Sequence, residues 1–140
     1  MPLSAIIADD EPHLAAHLQA RLQTLWPELA IVGNAANGLE AQALIDRLRP
    51  DIAFLDIRMP GLSGLEVAER IAVPCRLVFI TAYDQYAVEA FERAAVDYLL
   101  KPISDERLGK TIARLRQPVT ADVDQTLAAL RQFMASERPA

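Results

Sequence analysis

The chain has few of the features that mark secreted, membrane-embedded or nucleic-acid-binding proteins. Cys75 is the single cysteine among 140 residues, so no internal disulfide can form and a reducing compartment suits the chain. There is no basic excess, because 14 Lys and Arg face 19 Asp and Glu, and the net charge of −5 argues against a nucleic-acid surface. No apolar run approaches the ~20 residues that span a bilayer, and no signal-peptide core follows Met1. We therefore expect a soluble, cytoplasmic protein.

Apolar residues, by contrast, are plentiful and regularly arranged. They make up 52% of the chain against 24% charged residues, which is typical of a globular domain with one core. Short apolar runs of strand length alternate with segments of helical periodicity. The predicted strands are Leu3–Ala8, Ala30–Ala35, Ile52–Asp56, Leu77–Thr81 and Asp97–Leu100. The predicted helices cover residues 12–25, 39–49, 64–71, 84–94 and 104–116. This alternation predicts an α/β fold in which a parallel sheet carries helices on both faces.

Helical spacing also predicts which side of each helix faces the sheet. On the first helix, the inward positions are Leu14, Leu18, Leu22 and Leu25. On the second, they are Ala43, Leu44 and Leu48. Asp10 precedes the first helix and is a candidate cap for it.

A break after the fifth helix divides the chain into two parts. Gln117-Pro118 ends the helical pattern, so residues 1–117 form the predicted domain and residues 118–140 a helical linker or extension. This extension has one apolar stripe of Val123, Leu127, Leu130 and Met134. A helix of that length is marginal alone. We consider both a stand-alone domain and a piece of a larger protein, and the appended helix favours the second.

Polar residues close four of the five predicted strands. Asp9 and Asp10 follow the first strand, Asp56 the third, Thr81 the fourth and Lys101 the fifth. Ligands and chemistry are found at this carboxyl edge in open α/β sheets. Three clustered carboxylates repel one another, and Mg²⁺ relieves this by taking oxygen ligands and joining them to a phosphoryl group. Lys101 supplies a charge and Thr81 a hydrogen-bond donor for phosphoryl oxygens. Asp56 is then the candidate nucleophile, since aspartyl phosphate is an established covalent intermediate.

These motifs resemble the receiver domain of two-component response regulators. The resemblance covers about residues 3–116 and rests on four segments, Ile7–Pro12, Leu55–Gly61, Phe79–Ala82 and Asp97–Pro102. The longer run from Thr81 to Ala87, with Lys101-Pro102-Ile103, resembles receivers of the LytTR class of transcription regulators. The family fold is a doubly wound, flavodoxin-like five-stranded parallel sheet of order 2-1-3-4-5, and we expect it here.

The resemblance also implies a role for each site residue. Asp56 would be phosphorylated by a sensor histidine kinase, with Thr81 and Lys101 holding the phosphoryl group. Asp9, Asp10, Asp56 and the backbone carbonyl of Arg58 would bind Mg²⁺. Thr81 and Tyr98 would form the conformational switch. The chain would therefore be a signalling phosphoacceptor rather than an enzyme, acting on its own phosphorylation only.

The output implied is a phosphorylation-dependent homodimer. We expect it to form through the helix of residues 84–94, the last strand and the helix of residues 104–116. The charges on that face are Glu89, Glu92, Asp97, Arg107 and Arg114. DNA would be reached only through an output domain outside this chain.

Two other classes of function compete with the receiver. A haloacid-dehalogenase-type phosphatase also uses an Asp nucleophile with Thr and Lys, but needs an acid two residues later, where this chain has Arg58. A protein-interaction module without phosphorylation would not need the complete acid set. His13 and His17 lie four residues apart without a third ligand, so we expect them to be exposed. Gly33 to Gly38 has P-loop glycine spacing, but Leu39-Glu40 follows in place of Lys and Ser or Thr, which predicts a turn.

Overall fold

A five-stranded parallel sheet of order β2-β1-β3-β4-β5 forms the centre of the molecule. The computed structural model describes residues 3–82 and 96–117. The strands are β1 (Ser4–Ala8), β2 (Ala30–Ala35), β3 (Ile52–Asp56), β4 (Arg76–Thr81) and β5 (Asp97–Leu100). The described helices are α1 (Pro12–Leu25), α2 (Gly38–Leu48), α3 (Gly64–Arg70) and α4 (Asp105–Leu115). The predicted fold class and strand order are confirmed.

The middle of the sheet is the most deeply buried part of the chain. Every residue of β3 is buried, because β1 and β4 flank it and helices cover both faces. Strands in such positions are continuously apolar, since neither face meets water. The register pairs Ala8 with Leu55 and Asp56 with Ile80, so the carboxyl ends of β1, β3 and β4 lie side by side. The sheet therefore delivers the residues that follow these strands to one edge.

Alternating residues of the sheet contribute to two separate cores. Ala5 and Ile7 of β1 face the core that is covered by Leu18 and Leu22 of α1 and by Leu108 of α4. On the other face, Ile6 and Ala8 belong to the core covered by α2 and α3. An exposed bidentate ion pair between Arg21 of α1 and Asp105 of α4, with N–O distances of 2.8 and 2.6 Å, joins the two helices of the first face.

Short polar side chains begin three of the four described helices. Asn37, Ser63 and Ser104 each accept a backbone N–H from the first turn that follows, which satisfies a donor that the helix leaves unpaired. In α1 the N-cap residue is Glu11, which makes no such side-chain bond. The expectation that Asp10 caps α1 is therefore wrong. Its neighbour Asp9 instead accepts the Glu11 N–H at 2.9 Å.

The predicted inward face of α2 is wrong for Ala43 and Leu48, which are exposed. Leu44 is partly buried and packs against the core, so the prediction is right for that residue. The most buried positions are Ala41 and Ile45, which belong to the core that α2 and α3 cover. The apolar stripe of α2 is wide enough to be read in two ways.

Two predicted helices lie outside the described residues. These are the helix of residues 84–94 and the extension helix of residues 121–136. Within residues 3–82 and 96–117, no helix is long and apolar enough to cross a membrane.

Candidate functional site

Two buried carboxylates lie next to each other at the carboxyl edge of the sheet. Asp56 ends β3 and is 4% exposed, and Asp9 directly follows β1 and is 6% exposed. Ionised acids are rarely buried this far unless a cation or hydrogen-bond donors compensate them.

Lys101 supplies this compensation from the other side of β4. It follows β5, and its Nζ lies 2.9 Å from Asp56 Oδ2 and 3.1 Å from Asp9 Oδ2. Its backbone N–H donates to the carbonyl of Thr81 at 2.8 Å, and the Lys101–Pro102 peptide bond is cis. One ammonium is thus shared by two carboxylates, and three strands are linked through it.

The burial of this cluster shifts two pKa values. Burial is the largest influence on Asp56 and raises its pKa from 3.8 to about 6. The Lys101 hydrogen bond and charge oppose that rise, and the charge of Asp9 adds to it. For Lys101, burial alone would lower the pKa, but the hydrogen bonds and charges of Asp56 and Asp9 outweigh it and raise the pKa above 10.5. Above pH 6 the cluster therefore holds an ionised Asp56 beside a charged ammonium.

Backbone amides hold both carboxylates in place. The Arg58 N–H donates to Asp56 Oδ1 at 3.3 Å, and the Glu11 N–H donates to Asp9 Oδ1 at 2.9 Å. Each carboxylate therefore keeps one oxygen on a backbone amide and the other on Lys101. This arrangement aligns the Oδ2 atoms towards the same cation.

A compact group of acids adjoins this pair. Asp9, Asp10 and Glu11 bring carboxylate oxygens to within 4.8 Å of one another, and Asp10 and Glu11 are exposed. Carboxylate oxygens are the ligands that Mg²⁺ prefers, so the donor set at this edge fits that ion. Glu11 was not among the predicted ligands. The signal was present in the sequence, since it is the third acid in a row after β1.

The two predicted switch residues lie on neighbouring strands. Thr81 ends β4 and is 1% exposed, and its register partner on β5 is Leu100. Tyr98 is 8% exposed and packs in the core that α2 and α3 cover. Thr81 directly follows Ile80, the register partner of Asp56 on β4, whereas Tyr98 lies on β5, two strands away from Asp56.

We predicted that Asp97 lies on an exposed face, and this prediction is wrong. It is fully buried, and its carboxylate accepts hydrogen bonds from Arg107 at 2.6 and 3.0 Å and from Thr111 at 2.6 Å. Arg114 adds an ion pair at 3.1 Å. Because these partners belong to α4 of the same chain, Asp97 is not available to pair with a second copy.

The remaining candidates behave as ordinary structural residues. His13 and His17 are both exposed on α1, as predicted. Of the predicted turn from Gly33 to Gly38, only Ala36 and Asn37 connect β2 to α2, since Gly33 lies in β2 and Gly38 begins α2. Cys75 is half-buried, and burial raises the pKa of its thiol to about 12, which makes it unreactive.

Comparisons with known proteins agree on one family. The family model of the response regulator receiver domain matches residues 5–113. An uncharacterised response regulatory protein of Vibrio cholerae is 45% identical over 97% of this chain and 56% of its own length. Transcriptional regulatory protein BtsR of Salmonella typhi is 48% identical over 82% of this chain and 48% of its own length. This chain thus spans about half the length of these relatives.

A solved structure supports the same assignment. A DNA-binding response regulator of the LuxR family from Staphylococcus aureus superposes with a TM-score of 0.71 and 32% identity. The match covers 82% of this chain and 99% of that one. These relatives give no support to the haloacid-dehalogenase alternative.

Proposed function

Because this chain belongs to the response regulator receiver domain family, we propose that Asp56 is its phosphoacceptor. The observation that carries this proposal is the placement of Asp56 at the end of the fully buried β3, 2.9 Å from the ammonium of Lys101. Among the described residues, the one other acid that is both buried and in contact with Lys101 is Asp9. Asp9 follows β1 rather than ending the central strand.

The proposed chemistry is transfer of a phosphoryl group to one carboxylate oxygen. An Asp56 oxygen forms a bond to phosphorus while the bond between phosphorus and the donor's leaving atom breaks. The leaving group, an imidazole nitrogen of a kinase or the acetate of acetyl phosphate, keeps the electron pair. Asp56 must be ionised to attack, and with a pKa of about 6 it is ionised at neutral pH.

We assign Mg²⁺ to the same edge. Asp9, Asp10 and Asp56 would hold it together with the backbone carbonyl of Arg58, and Glu11 adds a nearby carboxylate. Bound there, the ion would offset negative charge on the transferring group. The cluster of acidic side chains and the preference of Mg²⁺ for oxygen ligands support the assignment.

Lys101 and Thr81 are the proposed partners of the acquired phosphoryl group. Phosphorylation adds about −1.5 to −2 charge and three acceptor oxygens at pH 7. Lys101 already contacts Asp56, and Thr81 ends the adjacent strand. We propose that engagement of the Thr81 hydroxyl and rearrangement of Tyr98 pass the change to the face formed by β5 and α4.

The wider role concerns parts of the protein beyond the described residues. Receiver domains of this family are phosphorylated by sensor histidine kinases, and we propose such a kinase as the partner in the cytoplasm. We also propose that residues 1–117 form the receiver and residues 118–140 a linker to an output domain that controls transcription. The relatives named above, which are about twice as long, support this division.

We propose the LytTR class for that output domain. The support is the sequence from Thr81 to Ala87 with Lys101-Pro102-Ile103. A LuxR-type output, the family named for the Staphylococcus aureus protein, is the competing outcome. Sequencing of the gene beyond the codon for Ala140 distinguishes them.

Incubation with acetyl phosphate and Mg²⁺ tests the phosphoacceptor. Intact-mass spectrometry should detect one added phosphoryl group on the wild type and none on Asp56→Asn. Asp46→Asn, which changes an exposed acid of α2, is the matched control and should label like the wild type. Full labelling of Asp56→Asn would assign the site to another residue.

A further inference from the structure

The first turn of α2 lies directly against the loop that follows Asp56. This loop, residues 57–63 between β3 and α3, is called the phosphoacceptor loop below. The Gly38 N–H donates to the carbonyl of Pro60 at 3.3 Å. A Cβ added at Gly38 would overlap the carbonyl oxygen of Leu62 and lie 2.6 Å from its carbonyl carbon. The two backbones are therefore closer than any side chain at Gly38 permits.

The next residue of α2 lies near the same loop. A Cβ added at Gly61, whose φ is 79°, would lie 3.6 Å from the Leu39 Cγ, so the Leu39 side chain is close to the Gly61 backbone. Leu39 is 60% exposed and is not part of the core.

Both ends of the phosphoacceptor loop are closed on Asp56. At the start, Arg58 donates its N–H to the Asp56 carboxylate. At the end, the Gly64 N–H donates to the carbonyl of Ile57 at 2.9 Å, and a Cβ at Gly64 would lie 2.5 Å from the Asp56 carbonyl oxygen. Because both ends of the loop are held by these backbone contacts, we expect a displacement of residues 60–62 to move Arg58 and Asp56 as well.

We propose that Gly38 is a positioning residue for the phosphoacceptor loop. Its missing side chain sets how closely α2 approaches residues 60–62, and this fixes the backbone of Arg58, which supplies one proposed Mg²⁺ ligand. The inference rests on the proposed function for its metal ligand set. The Gly38 contact with Leu62 is backbone to backbone, so no rotamer change can relieve a substitution there.

Gly38→Ala is the decisive variant. It must separate α2 from the loop, and loss of support around a metal typically weakens affinity about 10- to 100-fold. We expect the Mg²⁺ dissociation constant from isothermal titration calorimetry to rise by about 10-fold or more, by that comparison. The initial rate of labelling by acetyl phosphate at subsaturating Mg²⁺ should fall in parallel.

A second readout needs no metal. Hydrogen exchange of the Gly64 and Arg58 amides should be faster in metal-free Gly38→Ala than in the wild type, because the loop loses its anchor on α2. Amides of β1, such as Ile7, should keep their wild-type protection if the sheet is intact.

Two controls separate positioning from simple loss of stability. Gly109→Ala places the same methyl group in α4, where it would meet no atom of another element within 4 Å among residues 3–82 and 96–117, and should leave Mg²⁺ affinity unchanged. Ile45→Val removes a methyl group from the fully buried face of α2. It should lower the melting temperature and leave the Mg²⁺ dissociation constant at the wild-type value.

Leu39→Ala decides the matter if Gly38→Ala does not fold. It should weaken Mg²⁺ binding in the same direction by a smaller factor, and its matched control is Leu48→Ala, which is exposed at the far end of the same helix. A folded Gly38→Ala, or Leu39→Ala in its place, with wild-type Mg²⁺ affinity and wild-type exchange would overturn the inference. If the wild type takes no phosphoryl group, the proposed function fails, while calorimetry and exchange still test the role of Gly38.

Discussion

At the scale of a single residue, the burial of Asp56 affects both its ionisation and the stability of the fold. Its pKa is raised by burial from 3.8 to about 6, so the folded protein binds a proton more strongly than the unfolded chain does between these values. The resulting stabilisation is fully present below pH 3.8 and is lost as the pH rises through about 6. Ionisation of the phosphoacceptor at neutral pH therefore lowers the free energy of unfolding.

Asp56→Asn should consequently be more stable than the wild type at neutral pH without Mg²⁺. The gain is on the order of 3 kcal/mol, since each pKa unit between 3.8 and about 6 corresponds to about 1.4 kcal/mol. Urea unfolding from pH 4 to pH 8 measures it, and the two stability curves should converge towards pH 4. The exposed-acid control Asp46→Asn should follow the wild type throughout. A constant difference across the pH range would trace the gain to packing rather than to the charge of Asp56.

At the scale of elements, the buried carboxylate of Asp97 joins β5 to α4. Its partners Arg107, Thr111 and Arg114 occupy one face of α4, and Arg107 also donates to the Tyr98 carbonyl at 3.1 Å. The ion pair between Arg21 and Asp105 joins α1 to α4 with similar distances, but its side chains are 31% and 53% exposed. The two pairs therefore differ in the exposure of the carboxylate, which is 1% for Asp97, whereas Arg107 is 38% exposed, much like Arg21.

Removal of the arginine should lower the free energy of unfolding by different amounts for the two ion pairs. Arg107→Leu leaves Asp97 buried with fewer donors, and loss of one member of a buried pair typically costs about 3–5 kcal/mol. Since Arg114 and Thr111 remain, we expect a loss near the lower end of that range. Arg21→Leu, the matched change at the exposed pair, should cost at most about 1 kcal/mol. Chemical denaturation measures both variants, and equal losses would contradict the importance of burial.

Some features of the fold and of the site could be predicted from the sequence, and others could not. The described strands and helices were predicted from apolar runs and periodicity, and Asp56, Thr81 and Lys101 were predicted as site residues because each lies at the end of a strand. The burial of Asp97 was missed because an acid at the start of a strand is usually exposed. The spacing of Arg107, Thr111 and Arg114 on one helical face was the available signal. For α2, the broad apolar stripe did not show that Ala41 and Ile45, rather than Ala43 and Leu48, pack into the core of the sheet.

For the whole molecule, the proposed output is association of two copies. Leu100, at the end of the edge strand β5, is 44% exposed, and Arg107 and Arg114 keep 38% and 46% of their side chains accessible. Asp97 is excluded from this surface, whereas Leu100, Arg107 and Arg114 contribute one apolar and two basic groups to it. A face complementary to the two arginines must include acids, and the predicted Glu89 and Glu92 lie outside the described residues.

Sedimentation with and without a stable phosphoryl mimic tests this association. We expect a partial shift to dimer in the wild type, because a change from 1:99 to 99:1 needs about 5.5 kcal/mol of differential binding. Asp56→Asn treated with the same mimic is the control and should stay monomeric. Identical mass distributions from micromolar to millimolar protein would show that the signal leaves by another route.

The sharing of Lys101 between two acids also has a consequence for biosynthesis. Lys101 follows both acids along the chain and reaches them from β5, so Asp9 and Asp56 are synthesised before their counter-ion. The 45 residues between Asp56 and Lys101 take the ribosome about 2–9 s at ~5–20 residues per second. A chain shorter than 101 residues has no Lys101 to offset the two acids in a folded sheet. We therefore expect the sheet edge to become stable only once β5 and Lys101 have been added.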